Sequence, residues 1–274
     1  MMWRVALWGL LMGATLPAVS TAQQGSCMAV SDAGGCVDGS IVDAGGVLKP
    51  GFHVNFIEPT KRYAHGVLGD AIEWGGLEFI YQGSAQHGPY VMVSLSLPAS
   101  RVFEDIQPRL IDLDQDGSFE IVVVESHKNR GAQLAVYELI SQPDFALKKI
   151  ASTPHIGTRF RWLAPIGAAD FDDDGHIEIG YIDRPHLAKT LRLWRFKNGK
   201  LREVANLKGL TNHRIGQAEI PGGVRDCGQG PEMITANADW SQIMATTFNG
   251  RTLTARPLGP FKSNANLNQM LNCR

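Results

Sequence analysis

Asp112, Asp114, Asp116, Gly117 and Glu120 recur, with the same spacing, as Asp170, Asp172, Asp174, Gly175 and Glu178. Each copy is a nine-residue pattern with acids at positions one, three, five and nine and glycine at six. Carboxylates alternating on one tight turn repel each other unless a cation sits among them, and a cage of hard oxygens is what Ca²⁺ prefers. The glycine permits the sharp turn, and Ser118 and His176 at position seven can add a carbonyl. An EF-hand would need a further acid at position twelve, but Val123 and Tyr181 stand there, inside apolar β-prone runs. The pattern therefore predicts calcium loops that join strand to strand. About two ions per chain follow, with a structural role in holding each turn closed.

The apolar runs Leu77–Gln82, Phe119–Val124, Ile177–Ile182 and Met233–Ala236 are each followed by a second: Tyr90–Leu95, Leu134–Leu139, Leu191–Phe196 and Ile243–Phe248. Asn198-Gly199 and Asn249-Gly250 then introduce third runs at Leu201–Ala205 and Thr252–Ala255, the Asn-Gly pair being a strong hairpin signal. No amphipathic helix of useful length is legible. The glutamates at position nine (Glu78, Glu120, Glu178 and Glu232) lie about 40 to 60 residues apart, a blade-sized period. The first and last loops have lost most of their acids. The last contains Cys227, and we expect a disulfide there to replace the missing ion as a staple.

These loops, with the lead-in Ile166-Gly167-Ala168-Ala169-Asp170, resemble the repeats of bacterial VCBS-repeat proteins and FG-GAP propellers, over roughly residues 60–260. The Phe-Gly and Gly-Ala-Pro signatures of that family are not intact. The resemblance implies an all-β fold, a small β-propeller of four recognisable blades with calcium-binding loops between the first and second strands of a blade. Gly46–Glu58 could supply strands for an irregular fifth. A β-sandwich or solenoid built from the same strands is the alternative.

Arg4 followed by an apolar run to Leu16 and a small-residue end at Ser20–Ala22 reads as a signal peptide over residues 1–22. The run is too short to span a bilayer. Residues 23–46 then form an N-terminal arm and 47–274 the propeller. Totals of 26 basic and 27 acidic residues, without a basic stripe, argue against nucleic acid as a partner. The four cysteines, Cys27, Cys36, Cys227 and Cys273, all follow the leader. In a secreted or periplasmic chain an even count suggests two disulfides, with three pairings open. Cys27–Cys36 would close the arm, and Cys227–Cys273 would tie the C-terminus to the last repeat.

Six of the eight histidines, His65, His87, His127, His155, His186 and His213, fall in connections on the side away from the calcium loops. The densest groupings are Asp183, Arg184 and His186, and Asn212, His213 and Arg214. Arg184, His186, Asn212, His213 and Arg214 are candidate ligand-binding residues, and Asp183, His186 and His213 are candidate acid–base groups, since histidine titrates near neutrality. Three converging histidines could instead hold a transition metal. The leading expectation is an exported, calcium-stabilised binding or scaffold module for an envelope or extracellular protein or glycan. The alternative is a periplasmic lyase or hydrolase working at the histidine-rich face. Trp162, Trp194 and Trp240 read as packing residues rather than sugar platforms.

Overall fold

The computed structural model describes residues 52–81, 91–142 and 144–273; the segments expected to form a leader and an arm with Cys27 and Cys36, and His87, lie outside them. The chain is all-β, and every strand pairing among the described residues is antiparallel. Solenoid coils stack in parallel, so these strands do not form one. The first acidic loop opens a four-strand meander: β5 (Arg109–Ile111), β6 (Glu120–His127), β7 (Gly131–Ile140) and β8 (Ala146–Ser152). The second opens another: β9 (Leu163–Ala169), β10 (Glu178–Asp183), β11 (Thr190–Lys197) and β12 (Lys200–Lys208). A third runs through β14 (Gly223–Asp226), β15 (Pro231–Asn237), β16 (Gln242–Phe248) and β17 (Leu253–Pro260), with β13 (Leu210–Thr211) also paired to β15.

The first repeat does not make a sheet of its own. Its strands β1 (Phe52–Thr60), β2 (Glu73–Tyr81) and β3 (Val91–Ser96) run into β4 (Arg101–Phe103). That short strand pairs with β2 through Trp74–Phe103 and with β6 through residues 125–127. Repeats one and two therefore merge into one eight-stranded sheet, beside sheets of four and five strands. The difference from four separate sheets comes from the bend after Phe103. Glu104 and Asp105 carry the chain along β6 from β4 to β5, so one long first strand is split into two pieces.

Burial follows position in the meander. β6 and β10, the second strands, are buried almost throughout, whereas β8 and β12, the fourth strands, are half-buried or exposed apart from the buried Leu147 of β8. A strand covered on both faces reads as a continuous apolar run, which is why these strands are so visible in the sequence. The core is layered between neighbouring sheets. Val122, Val124, Leu134 and Val136 pack against Ile179, Tyr181, Trp194 and Phe196, while Ile182, Leu191 and Leu193 meet Met233, Phe248 and Leu253.

The β11–β12 hairpin turns on Asn198 (φ 52°) and Gly199 (φ 67°), the paired positive angles of a two-residue turn whose twist suits the flanking strands. Asn249-Gly250 instead lies in a four-residue loop in which the Asn249 side chain accepts from the N–H groups of Arg251 and Thr252. One short helix that the sequence pattern does not announce, Asn264–Gln269, is capped by Ser263, whose side chain accepts from the Asn266 N–H. It buries Leu267 and leads to Cys273, which is bonded to Cys227 in the β14–β15 turn. No helix among the described residues is long and apolar enough to cross a membrane.

Candidate functional site

The two acidic turns connect β5 to β6 and β9 to β10, the first-to-second strand connections where they were expected. Their backbones match: Gln115 and Asp173 have φ near +60°, and Gly117 and Gly175 have φ of 87° and 81°. Their internal hydrogen bonds match too. The Gly117 N–H donates to Asp112 Oδ2 at 3.0 Å and the Gly175 N–H to Asp170 Oδ2 at 2.8 Å. The Leu113 N–H reaches Glu120 Oε2 at 2.7 Å, and the Phe171 N–H reaches Glu178 Oε2 at 3.1 Å. These bonds draw positions one, three and nine together. Asp112, Asp114 and Glu120 place carboxylate oxygens within 4.8 Å of one another, as do Asp170, Asp172 and Glu178. No other group of three or more potential metal ligands converges this closely among the described residues.

The remaining loop positions play supporting parts. Asp116 accepts from the Ser118 N–H and Asp174 from the His176 N–H, so Ser118 and His176 enter the turns through their backbones. Burial first, and then the charges of Asp114, Asp112 and Asp116, push Glu120 up to about 7. A divalent cation fits the first turn: Asp112 Oδ1 is buried and has no hydrogen-bond partner in the protein, an acceptor that a cation would satisfy. Asp112, Asp114 and Glu120 would hold it, at the seam between β5 and β6.

The last turn has replaced the cage by other fasteners. Glu232 accepts from Arg225 through Oε1 and from Arg256 through Oε2, and the Cys227–Cys273 bridge closes the turn onto the C-terminus. The staple expected there is present.

At the opposite strand ends the histidines pair. The Gln217 carbonyl can only accept, so His213 donates to it from Nε2 at 2.8 Å and its Nδ1 is left as an acceptor. His186 must then donate from Nε2 to His213 Nδ1, at 3.0 Å. Neutral rings satisfy both bonds, and burial favours them. Burial, followed by the nearby His213 and His65, pushes His186 down to about 4, and burial lowers His213. His127 and His155 form a second ring pair with centroids 5.7 Å apart.

The acid expected to join them is committed elsewhere. Asp183 is buried and takes bonds from Arg184 (2.8 and 3.0 Å) and Arg192 (2.9 Å). Burial would raise its carboxyl, but the two guanidinium groups outweigh that and hold it below its ordinary value. Arg184 is accordingly spent on this bridge. Arg214 lies over the Trp240 ring at 4.2 Å, and the buried Asn212 donates to the Pro165 carbonyl at 3.0 Å. Of the expected residues, His186 and His213 touch each other, and Asp183 and Arg184 bond each other in a separate bridge. Beside them Leu187 and Ile215 are 62% and 71% exposed, among the most exposed large apolar side chains described.

A second polar group escaped sequence reasoning. Glu104 is fully buried, and its carboxylate meets His65 Nδ1 on one oxygen and the Ser126 hydroxyl on the other. His65 stacks on Phe160 with centroids 4.8 Å apart. Glu73, also buried, is pushed up to about 10 by burial and then by Glu104, Asp70 and Asp105. His65, Glu104 and Phe160 come from three separate connections and Glu73 and Ser126 from strands β2 and β6, so no local pattern marks them; the only hint is acids placed beside strand-like apolar runs. A scan against protein-family models finds no match for this chain, and a search of curated proteins finds none similar to it.

Proposed function

We propose that the chain is an exported, calcium-stabilised β-propeller of the VCBS/FG-GAP kind that binds a protein partner at its histidine-bearing end. Three four-strand meanders with core layers between successive sheets support the propeller arrangement, with β1–β3 as the first blade. The leader-like residues 1–22 and the Cys227–Cys273 bridge support export, because disulfides persist in oxidising compartments. The buried, unpartnered Asp112 oxygen supports a bound calcium ion.

One observation carries the binding role. Leu187 and Ile215 are exposed next to two histidines whose hydrogen bonds are turned inward, so this end offers aliphatic contact without a converged acid. Aliphatic side chains suit a protein interface core, whereas sugars stack on aromatic faces. Trp162 and Trp194 are buried and the Trp240 face is covered by Arg214, which favours protein over glycan. The test compares the calcium-loaded protein with a Leu187→Asp/Ile215→Asp variant as baits for envelope and extracellular fractions. A protein retained by the first and lost by the second, at unchanged melting temperature, is expected. Identical captures by both baits would sink the assignment.

The lyase or hydrolase reading keeps one support, the contact of His65 Nδ1 with buried Glu104, which fixes the ring and leaves Nε2 to act as a base. Under that reading a substrate screen yields an activity that His65→Asn removes.

A further inference from the structure

The two acidic turns look alike in sequence, but a different residue faces each from the third strand of the meander. Glu178 pairs across the β10–β11 ladder with Arg195. In the first turn Ile121 pairs with Tyr137, so the residue opposite Glu120 is Glu138, which is exposed. Arg195 reaches into the second turn with its whole guanidinium. Its Nε donates to Glu178 Oε1, one terminal nitrogen to Asp174 Oδ2, and the other to both oxygens of Asp172 at 2.9 and 2.7 Å. Three of the cage acids, at positions three, five and nine, are engaged by one side chain. The other oxygens of the cage face the backbone: Asp170 accepts from the Asp174 and Gly175 N–H groups, and Glu178 Oε2 from Phe171.

Resting on the calcium-cage reading above, we infer that Arg195 is the built-in counter-ion of the second turn, so that calcium is held by the first turn alone. Calcium requires about six to eight oxygens, and the carboxylate oxygens of this turn are already taken by N–H donors. The guanidinium supplies five donors in a rigid fork that matches several carboxylates at once, and it cannot lose its charge. The chain contains its own precedent, since the last turn holds Glu232 between Arg225 and Arg256 and keeps no acidic cage. The three turns form a series. The first keeps acids and has no arginine, the second keeps acids and has one, and the last has two arginines and a disulfide with only Asp226 and Glu232 left of the acids.

The test is a Ca²⁺ titration by calorimetry on exhaustively chelated, disulfide-intact protein, with Arg195→Leu, Asp114→Ala and Asp172→Ala alongside. The unmutated protein is expected to bind one ion, and Asp114→Ala none. Asp172→Ala should still bind one, and Arg195→Leu two. An arginine that closes the second cage about 99% of the time weakens its apparent affinity about a hundredfold, which is the gain expected on its removal. Two ions of similar affinity in the unmutated protein, or a single ion lost in Asp172→Ala but not in Asp114→Ala, would overturn the assignment of Arg195. So would a single ion in Arg195→Leu. No ion in any variant would overturn the cage reading itself. Should Arg195→Leu fail to fold, the two aspartate variants alone still decide which turn holds the ion.

Discussion

Glu73 begins β2 at 2% exposure, and its neighbours Glu104, Asp70 and Asp105 are acids. Burial and those charges push its carboxyl from an ordinary 4.5 up to about 10, so the folded protein carries it protonated at neutral pH. In the unfolded chain the same group is ionised at pH 7. Between about pH 4.5 and 10 the folded state thus holds one more proton at this site, and stability falls by about 1.4 kcal/mol for each pH unit. Below that window both states are protonated and the contribution is fully present. Some 2.5 units separate pH 4.5 from neutrality, so protonating Glu73 costs folding on the order of 3 kcal/mol at pH 7. Glutamine matches the protonated acid in shape and has no proton to lose. Glu73→Gln is therefore expected to be more stable than the unmutated protein by about that amount at pH 7, with the difference shrinking towards pH 5 and growing towards pH 8. Urea unfolding at saturating calcium, at several pH values from 5 to 8, reads the difference from the midpoints with the m-value held constant. A difference independent of pH, or a less stable variant throughout, would mean that Glu73 is ionised in the folded state, and the reasoning would fail.

Cys273→Ser removes a bridge spanning 46 residues of sequence, and the chain-entropy model puts the loss at about 4 kcal/mol, read as a lower thermal midpoint under non-reducing conditions. Gly131 has φ of +70°, and a Cβ there would lie 2.3 Å from the Thr158 carbonyl oxygen and 2.7 Å from that of Arg161. Gly131→Ala should cost at least about 2 kcal/mol because backbone, not a mobile side chain, must yield; a neutral result in urea unfolding would contradict it. Chelation should lower the melting temperature and added calcium restore it, and Asp114→Ala should abolish that response.

Much of this fold was legible because its signals are local. The acid–glycine turns, the Asn198-Gly199 hairpin and the buried runs of β6 and β10 each occupy fewer than about a dozen residues, where periodicity and turn chemistry act directly. What stayed hidden depends on which strand lies opposite which. Nothing near Arg101–Phe103 shows that three residues bridge two repeats, because the signal is a pairing to Trp74 and to residues 125–127. Asp183 was a reasonable partner for His186 by proximity in sequence, yet the β10–β11 ladder brings Arg192 within 2.9 Å of its carboxylate. His65, Glu104 and Ser126 lie far apart in the chain and meet only in the folded protein.

That distinction bears on how acidic turns can differ within one chain. The carboxylates of a cage are useful only while something positive sits among them, and a cation and a guanidinium satisfy the same oxygens in different ways. An ion calls for acids on the loop alone; an arginine also needs the right register one strand away, where a single substitution can supply it. Once Arg195 is in place the acids of the second turn no longer depend on calcium, and their loss one by one becomes tolerable, as in the last turn with Glu232, Arg225 and Arg256. In the first turn Glu138 stands at that register position instead of an arginine, and there the buried Asp112 oxygen has no partner within the protein.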